Sequence, residues 1–128
     1  MESGAAPPEM LAEMFKTLAS KTRLQIIELL KERPLCVGAI ASRLGVTQGA
    51  VSQHLRIMRG AHLVVPEKRG YFVHYRIDED TLGAWRRAAE GLLSMSVKPK
   101  RQMCCEDNDS KEDRACVTAT VARNQTNL

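Results

Sequence analysis

Apolar side chains recur at the three- and four-residue intervals of a helix along much of the chain. The first two segments with this period are 9–19 and 21–33, and Ser20 between them is a typical helix N-cap. After four such segments the pattern changes to runs of β-branched and aromatic residues, and it returns to the helical period over 81–96. This order predicts a mainly α fold that contains one small β-hairpin.

The third and fourth helical segments lie close together and predict a helix-turn-helix. Apolar residues at helical spacing fill 37–44, and Gly45 stops that helix. Thr47 then stands where its hydroxyl can accept a hydrogen bond from the amide of Ala50 and start a second helix. In a helix-turn-helix the second helix presents its side chains to the major groove of DNA. The residues expected on its buried face are Val51, Leu55 and Met58.

The β region predicts a hairpin with a basic tip. Two runs of strand formers, 63–65 and 71–77, flank the turn-rich segment 66–70. That segment holds Lys68 and Arg69, which a hairpin of this kind, a wing, places against the DNA backbone. A final helix follows, with Asp78 or Asp80 as its N-cap.

The charge is unevenly distributed. Residues 1–101 carry a net charge of +6 and residues 102–128 carry −2. A basic body suits contact with phosphate, although a surplus of this size is weak evidence by itself. No apolar run approaches the ~18 residues of a membrane helix, and the first residues lack the features of a secretion signal. We therefore expect a cytoplasmic protein with no membrane partner.

The residue pattern of the central region resembles that of the ArsR/SmtB family of metal- and metalloid-responsive repressors. The similarity covers 10–95, and the segment 48–64 carries most of it with the pattern Q-x-x-V-S-Q-H-L-x-x-M-x-x-A-x-L-V. The resemblance implies a winged helix-turn-helix that forms a homodimer through its first and last helices. It also implies double-stranded operator DNA, an imperfect inverted repeat, as the partner. The apolar stripes of those two helices fit a dimer seam and fit a monomer core equally well.

The chain is thus expected to have three parts. Residues 1–8 form a flexible arm, 9–96 form the winged helix-turn-helix with the dimerisation helices, and 97–128 form a flexible tail that contains cysteines. The side chains expected to contact DNA have the amide, hydroxyl, imidazole or cationic groups that bind base edges and phosphates. They are Thr47, Gln48, Ser52, Gln53, His54, Arg56, Lys68 and Arg69. For His54, which lies beside the buried stripe, a packing or phosphate role is weighed equally with base reading.

Three of the four cysteines lie in the tail, where we expect no core to bury them. Cys104 and Cys105 are adjacent, and Cys116 can reach them if the polar residues between fold back, at a cost of ~2 kcal/mol. Three thiolates suit a soft, three-coordinate ion. We therefore predict that Cys104, Cys105 and Cys116 bind arsenite or antimonite as an inducer. No organic cofactor is expected.

The arsenic site most typical of the family places several cysteines at the start of the helix before the recognition helix. This chain keeps only the first, Cys36, which by itself cannot form that site and is interpreted as a partly buried residue. Relocation of the arsenic site to the tail accounts for the absence of the other cysteines of that pattern. A fourth ligand such as Cys36, His62 or His74 leaves zinc, cadmium and lead open as alternatives.

Other functions are less well supported. A thiol redox switch, in which Cys116 resolves an oxidised Cys104 or Cys105, remains open. An enzyme is not expected, because the chain has no C-x-x-C motif in a βαβ unit and no phosphate-binding glycine loop.

Overall fold

The computed structural model describes residues 6–94 together with 96 and 97. Its strands form one antiparallel sheet in the order β1-β3-β2. Within the described residues, no helix is long and apolar enough to cross a membrane. Residues 1–5 of the predicted arm and nearly all of the predicted tail lie outside the described residues. The elements, in chain order, are α1 (Pro8–Leu18), α2 (Lys21–Glu32), β1 (Leu35–Cys36), α3 (Val37–Leu44), α4 (Gln48–Gly60), β2 (Val64–Arg69), β3 (Phe72–Ile77) and α5 (Glu79–Leu93).

The two predicted N-terminal helices are confirmed. Pro8 begins α1, where its missing N–H costs nothing because the first helical amides have no partner within the helix. Ser20 caps α2 as predicted, and its Oγ accepts a hydrogen bond of 3.3 Å from the amide of Arg23.

The helix-turn-helix also forms as predicted. Gly45 ends α3 in the left-handed region, with φ of 68° and ψ of 33°, a conformation that glycine adopts without steric cost. The Oγ1 of Thr47 accepts a hydrogen bond of 3.1 Å from the amide of Ala50 and so caps α4.

The core lies where α2, α3 and α4 meet the inner face of the sheet. Aliphatic side chains dominate it, in keeping with an aromatic content of only 4%. The predicted inward face of α4 is fully buried in this core. Its members are Ile26, Ile27, Leu30, Leu35, Ile40, Ala41, Val51, Leu55, Met58, Leu63, Val64 and Ile77.

The β-sheet differs from the prediction in two respects. The segment 66–70 was expected to be a turn, but β2 continues through Arg69, and the chain reverses at Gly70, which has a φ of 65°. Pro66 fits within β2 because β2 is an edge strand, where an N–H is not needed on the open side. The short strand β1 was not predicted. It joins the sheet by pairing Leu35 with Tyr75 of β3.

The first and last helices pack on each other and leave much apolar surface uncovered in the single chain. Asp78 caps α5, since its Oδ1 accepts hydrogen bonds from the next helical amides. No residue of α5 is buried. Large apolar side chains remain exposed on both helices, namely Met10, Phe15, Leu92 and Leu93.

Candidate nucleic-acid interface

Helix α4 has one buried face and one polar, exposed face. Gln48, Ser52 and Arg56 are spaced four residues apart, so they lie in a row along one side of the helix. Gln53 is exposed beside this row. Because the opposite face is anchored in the core, this row is presented to solvent in a fixed orientation. Glutamine amides can pair with adenine edges and arginine with guanine or phosphate, so the row has the chemistry needed to read a major groove.

The N-terminal end of α4 adds a further polar group. Thr47 is exposed, and its hydroxyl is engaged by the amide of Ala50. The side chain therefore serves first as the helix cap. The free amides of the first helical turn carry a partial positive charge, which favours an anion at this end.

His54 lies at the boundary between the exposed and buried faces of α4. It is half-buried, and its Nδ1 lies 3.2 Å from Nη1 of Arg23 in α2. The structure thus gives this predicted DNA-binding residue a partner inside the protein. Sequence reasoning missed Arg23, since a single charged residue beside an apolar stripe shows no pattern that predicts a contact with a helix 31 positions away.

The wing carries both predicted cations on β2. Lys68 and Arg69 are exposed, in register with Val73 and Phe72 of β3. Nη2 of Arg69 donates a hydrogen bond of 3.2 Å to the carboxylate of Glu67. Lys68 forms no ion pair among the residues the structure describes. The two cations therefore differ in how freely they can approach a phosphate.

Glu67 is the centre of a small charged cluster on the wing. Nε of Arg76 donates a hydrogen bond of 2.8 Å to its second carboxylate oxygen and joins β3 to β2. The hydrogen bond from Arg76, followed by the one from Arg69, lowers the pKa of the Glu67 carboxyl below its usual value. At neutral pH the carboxylate is charged and partly neutralises the basic hairpin.

An open groove separates the wing from the start of α4. Its lining includes Gln48 of α4, the segment 36–38 at the start of α3, and Phe72 and Val73 of β3, together with the fully exposed Tyr71. The groove makes the wing and the exposed row of α4 neighbouring parts of one surface. Where the two parts meet, the surface carries the amide of Gln48 and the exposed aromatic side chains of Tyr71 and Phe72.

Cys36 is the one cysteine among the described residues, and it is free and half-buried. It precedes α3 and pairs in register with His74 of β3, whose buried Nδ1 has no hydrogen-bond partner within the described part of the chain. No group of three histidine, cysteine or carboxylate side chains suited to a metal occurs in residues 6–94 and 96–97. The predicted ligands Cys104, Cys105 and Cys116 lie outside the described residues.

Comparison with known proteins identifies the family. The model of the family described as "Bacterial regulatory protein, arsR family" matches residues 20–65, which contain the helix-turn-helix. The arsenical resistance operon repressor of Escherichia coli (strain K12) is 35% identical over 109 residues, which are 75% of this chain and 90% of that protein.

Solved structures agree with this assignment. An ArsR-like transcriptional regulator from Rhodococcus sp. RHA1 matches with a TM-score of 0.61 and 28% identity, over 67% of this chain and 81% of its own. A homodimeric winged helix-turn-helix DNA-binding domain from Mycobacterium bovis matches with a TM-score of 0.55 and 27% identity, over 77% of this chain and all of its own. The Escherichia coli protein is named as a repressor, the Rhodococcus protein as a transcriptional regulator and the Mycobacterium bovis protein as a DNA-binding domain. The chain belongs to the ArsR family of bacterial regulatory proteins.

Proposed function

We propose that this protein is a homodimeric repressor that binds operator DNA and releases it when trivalent arsenic or antimony binds to thiols of its C-terminal tail. The observation that carries the DNA-binding part is the exposed row of α4, held by a buried face beside a basic wing. The residues proposed to contact DNA are Thr47, Gln48, Ser52, Gln53, His54, Arg56, Lys68 and Arg69.

The proposed contacts fall into two classes. Gln48, Gln53 and Arg56 read base edges, because amides and guanidinium groups match the donor and acceptor pattern of the major groove. Ser52, Thr47 and the wing cations bind phosphates and contribute affinity that depends on salt but not on sequence. His54 belongs to the second class: the exposed part of its ring contacts a phosphate while its Nδ1 faces Arg23.

The exposed apolar residues of α1 and α5 support the homodimer. Phe15 and Leu92 are each more than one-third exposed, and Leu93 is 78% exposed, which is costly for side chains of this size in a monomer. Burial of these helices against a second copy removes that cost. A two-fold dimer presents two α4 helices, so we propose an imperfect inverted repeat as the operator. Since operator DNA lies in the cytoplasm of a bacterium, we place the protein there.

The thiol content of the tail supports the inducer. Cys104, Cys105 and Cys116 provide the three soft ligands that trivalent arsenic requires. Cys36 alone cannot replace them. The similar protein from Escherichia coli is named for arsenical resistance. A tenfold loss of DNA affinity requires only ~1.4 kcal/mol of difference in arsenite affinity between the free and DNA-bound states.

Titration of the reduced protein with arsenite, followed by the ultraviolet absorption of arsenic–thiolate bonds, tests the inducer site. We expect one arsenic per set of three tail thiols in the parent. The arsenic–thiolate absorption should be weaker in each of Cys104→Ser, Cys105→Ser and Cys116→Ser. Cys36→Ser is the matched control and should bind like the parent. Arsenite binding abolished by Cys36→Ser alone would contradict the tail site.

Two parallel titrations separate the alternatives. If zinc, cadmium or lead binds the same three cysteines and arsenite does not, the protein is a metal-responsive repressor. If peroxide forms a disulfide between Cys116 and Cys104 or Cys105 and releases DNA without any metalloid, the redox switch is correct.

A further inference from the structure

The guanidinium group of Arg23 joins three helices. From its place in α2 it donates through Nε to the carbonyl of Thr17, at 2.5 Å, and through Nη2 to the carbonyl of Lys16, at 3.3 Å. Both carbonyls belong to the last turn of α1. The remaining nitrogen, Nη1, lies 3.2 Å from Nδ1 of His54 in α4. One side chain therefore ties the end of α1 to the helix that carries the proposed DNA contacts.

The contacts to α1 hold the guanidinium in place without help from His54. Carbonyls in the last turn of a helix lack the usual partner four residues on, and the helix dipole attracts a cation to that end. The carbonyl of Lys16 also accepts from the cap amide of Ala19, at 3.4 Å, whereas that of Thr17 is bound by Arg23. Thr17 is buried, so its carbonyl lies in a protected position against α2. The planar guanidinium binds both carbonyls at once, which fixes the direction in which Nη1 points.

The chemistry of the pair determines the state of His54. Arginine has donors but no acceptor, so Nδ1 of His54 must accept the hydrogen bond through its lone pair. A hydrogen bond in this direction requires the tautomer whose ring proton is on Nε2. Arg23 thus selects one tautomer of His54. Because His54 directly follows Gln53 in α4, the same contact restrains rotation of the helix about its axis at this point.

We infer that Arg23 is a positioning residue for DNA recognition, which holds α4 against the end of α1 through the Nε2–H tautomer of His54. This inference rests on the proposed DNA-binding function. The buried face of α4 already secures the helix in the core. The contact with Arg23 adds a polar restraint at the edge of that face, where a small rotation displaces Gln53 and Arg56. Loss of the restraint should therefore reduce discrimination between operator and random DNA more than it reduces affinity for DNA in general.

The test uses Arg23→Ala, Arg23→Lys, His54→Ala, His54→Gln and the double variant Arg23→Ala/His54→Ala. The control is Lys31→Ala, which removes one exposed positive charge from the same helix. Dissociation constants are measured for a duplex selected from a random library by the parent protein and for a scrambled duplex. Urea unfolding of each variant reports stability.

We expect Arg23→Ala to lower the ratio of selected to scrambled affinity by roughly tenfold, a coupling typical of residues in direct contact. Lys31→Ala should weaken both duplexes equally. The affinity ratio of the double variant should equal that of either single alanine variant, because the two residues act as a unit in discrimination. His54→Gln should retain most discrimination, since its amide oxygen can accept from Nη1, and loss of a ring contact with phosphate weakens both duplexes equally. Arg23→Lys should not rescue, because a compact ammonium lacks the planar fork that reaches acceptors on two helices at once.

Nitrogen NMR of the histidine rings provides a second readout that does not depend on DNA. The parent should show the Nε2–H tautomer for His54, and Arg23→Ala should show a mixture; if that variant does not fold, Arg23→Lys takes its place. An unchanged affinity ratio in folded Arg23→Ala, or additive effects in the double variant, would overturn the inference. So would mixed tautomers in the parent. If the parent selects no preferred duplex, the proposed function fails, and the tautomer measurement still decides whether the restraint exists.

Discussion

Arg69 donates a hydrogen bond of 3.2 Å to the carboxylate of Glu67, two residues earlier on the same strand of the wing. The same carboxylate accepts from Arg76 across the hairpin. The wing therefore holds an internal anion beside its cations. In the proposed complex with DNA, Glu67 and a phosphate would compete for the same guanidinium group.

Substitution Glu67→Gln should strengthen binding to any duplex. It removes a negative charge near the phosphates and frees Arg69, so the slope of log affinity against log salt should become steeper by about one unit per subunit. Fluorescence anisotropy with a random-sequence duplex at several salt concentrations measures this. Lys68→Ala is the comparison and should flatten the slope. A Glu67→Gln protein with the slope and affinity of the parent would show that the wing does not reach DNA.

A pH titration of Glu67 in the free protein should report its contacts with Arg76 and Arg69 in the absence of DNA. Its pKa is lowered in the folded protein, mainly by Arg76 and then by Arg69. The stabilisation from these contacts is therefore complete at neutral pH, above the pKa of an unfolded glutamate, and is lost as pH falls through the lowered pKa. Carbon NMR of the side-chain carboxyl follows this transition. Arg76→Ala should raise the pKa of Glu67 more than Arg69→Ala does, and the reverse order would contradict the structure.

Gln53→Ala should relax sequence preference at one position in each half-site. An amide that pairs with an adenine edge contributes roughly 1–3 kcal/mol of discrimination against the wrong base. Competition between duplexes that differ at single positions measures the loss position by position. Gln25→Ala removes an exposed amide from α2 and serves as the control. Equal losses on selected and random DNA would exclude base reading by Gln53.

Thr47→Ala should lower the free energy of unfolding by about 1 kcal/mol, the usual cost of losing an N-cap hydroxyl. Thr47→Ser keeps the oxygen that accepts from the amide of Ala50, so it should retain nearly the stability of the parent. Urea unfolding compares the three proteins. If serine destabilises as much as alanine, the hydroxyl cap is not the source of the effect.

The elements that could be predicted from the sequence are those whose signals are local. Gly45 and Thr47 mark the end of α3 and the start of α4 through their own backbone and hydroxyl chemistry, and the structure confirms both. The inward face of α4 follows from its apolar spacing. Such signals require no knowledge of which segments meet in space.

The features that could not be predicted depend on contacts between distant segments. Strand β1 consists of only two residues and exists because Leu35 pairs with Tyr75. The extension of β2 through Pro66 depends on its place at the edge of the sheet, which the local sequence does not reveal. The contact of Arg23 with His54 likewise joins two helices that no short pattern connects.

In the proposed mechanism, trivalent arsenic bound to the tail thiols releases this repressor from DNA. The most direct measurement is a titration of the complex between the reduced protein and its selected duplex with arsenite, alongside Cys104→Ser, Cys105→Ser, Cys116→Ser and the control Cys36→Ser. We expect saturating arsenite to weaken DNA binding at least tenfold in the parent and in Cys36→Ser, and to have no effect on the three tail variants. A parent protein whose DNA affinity is the same with and without saturating arsenite would exclude this mechanism.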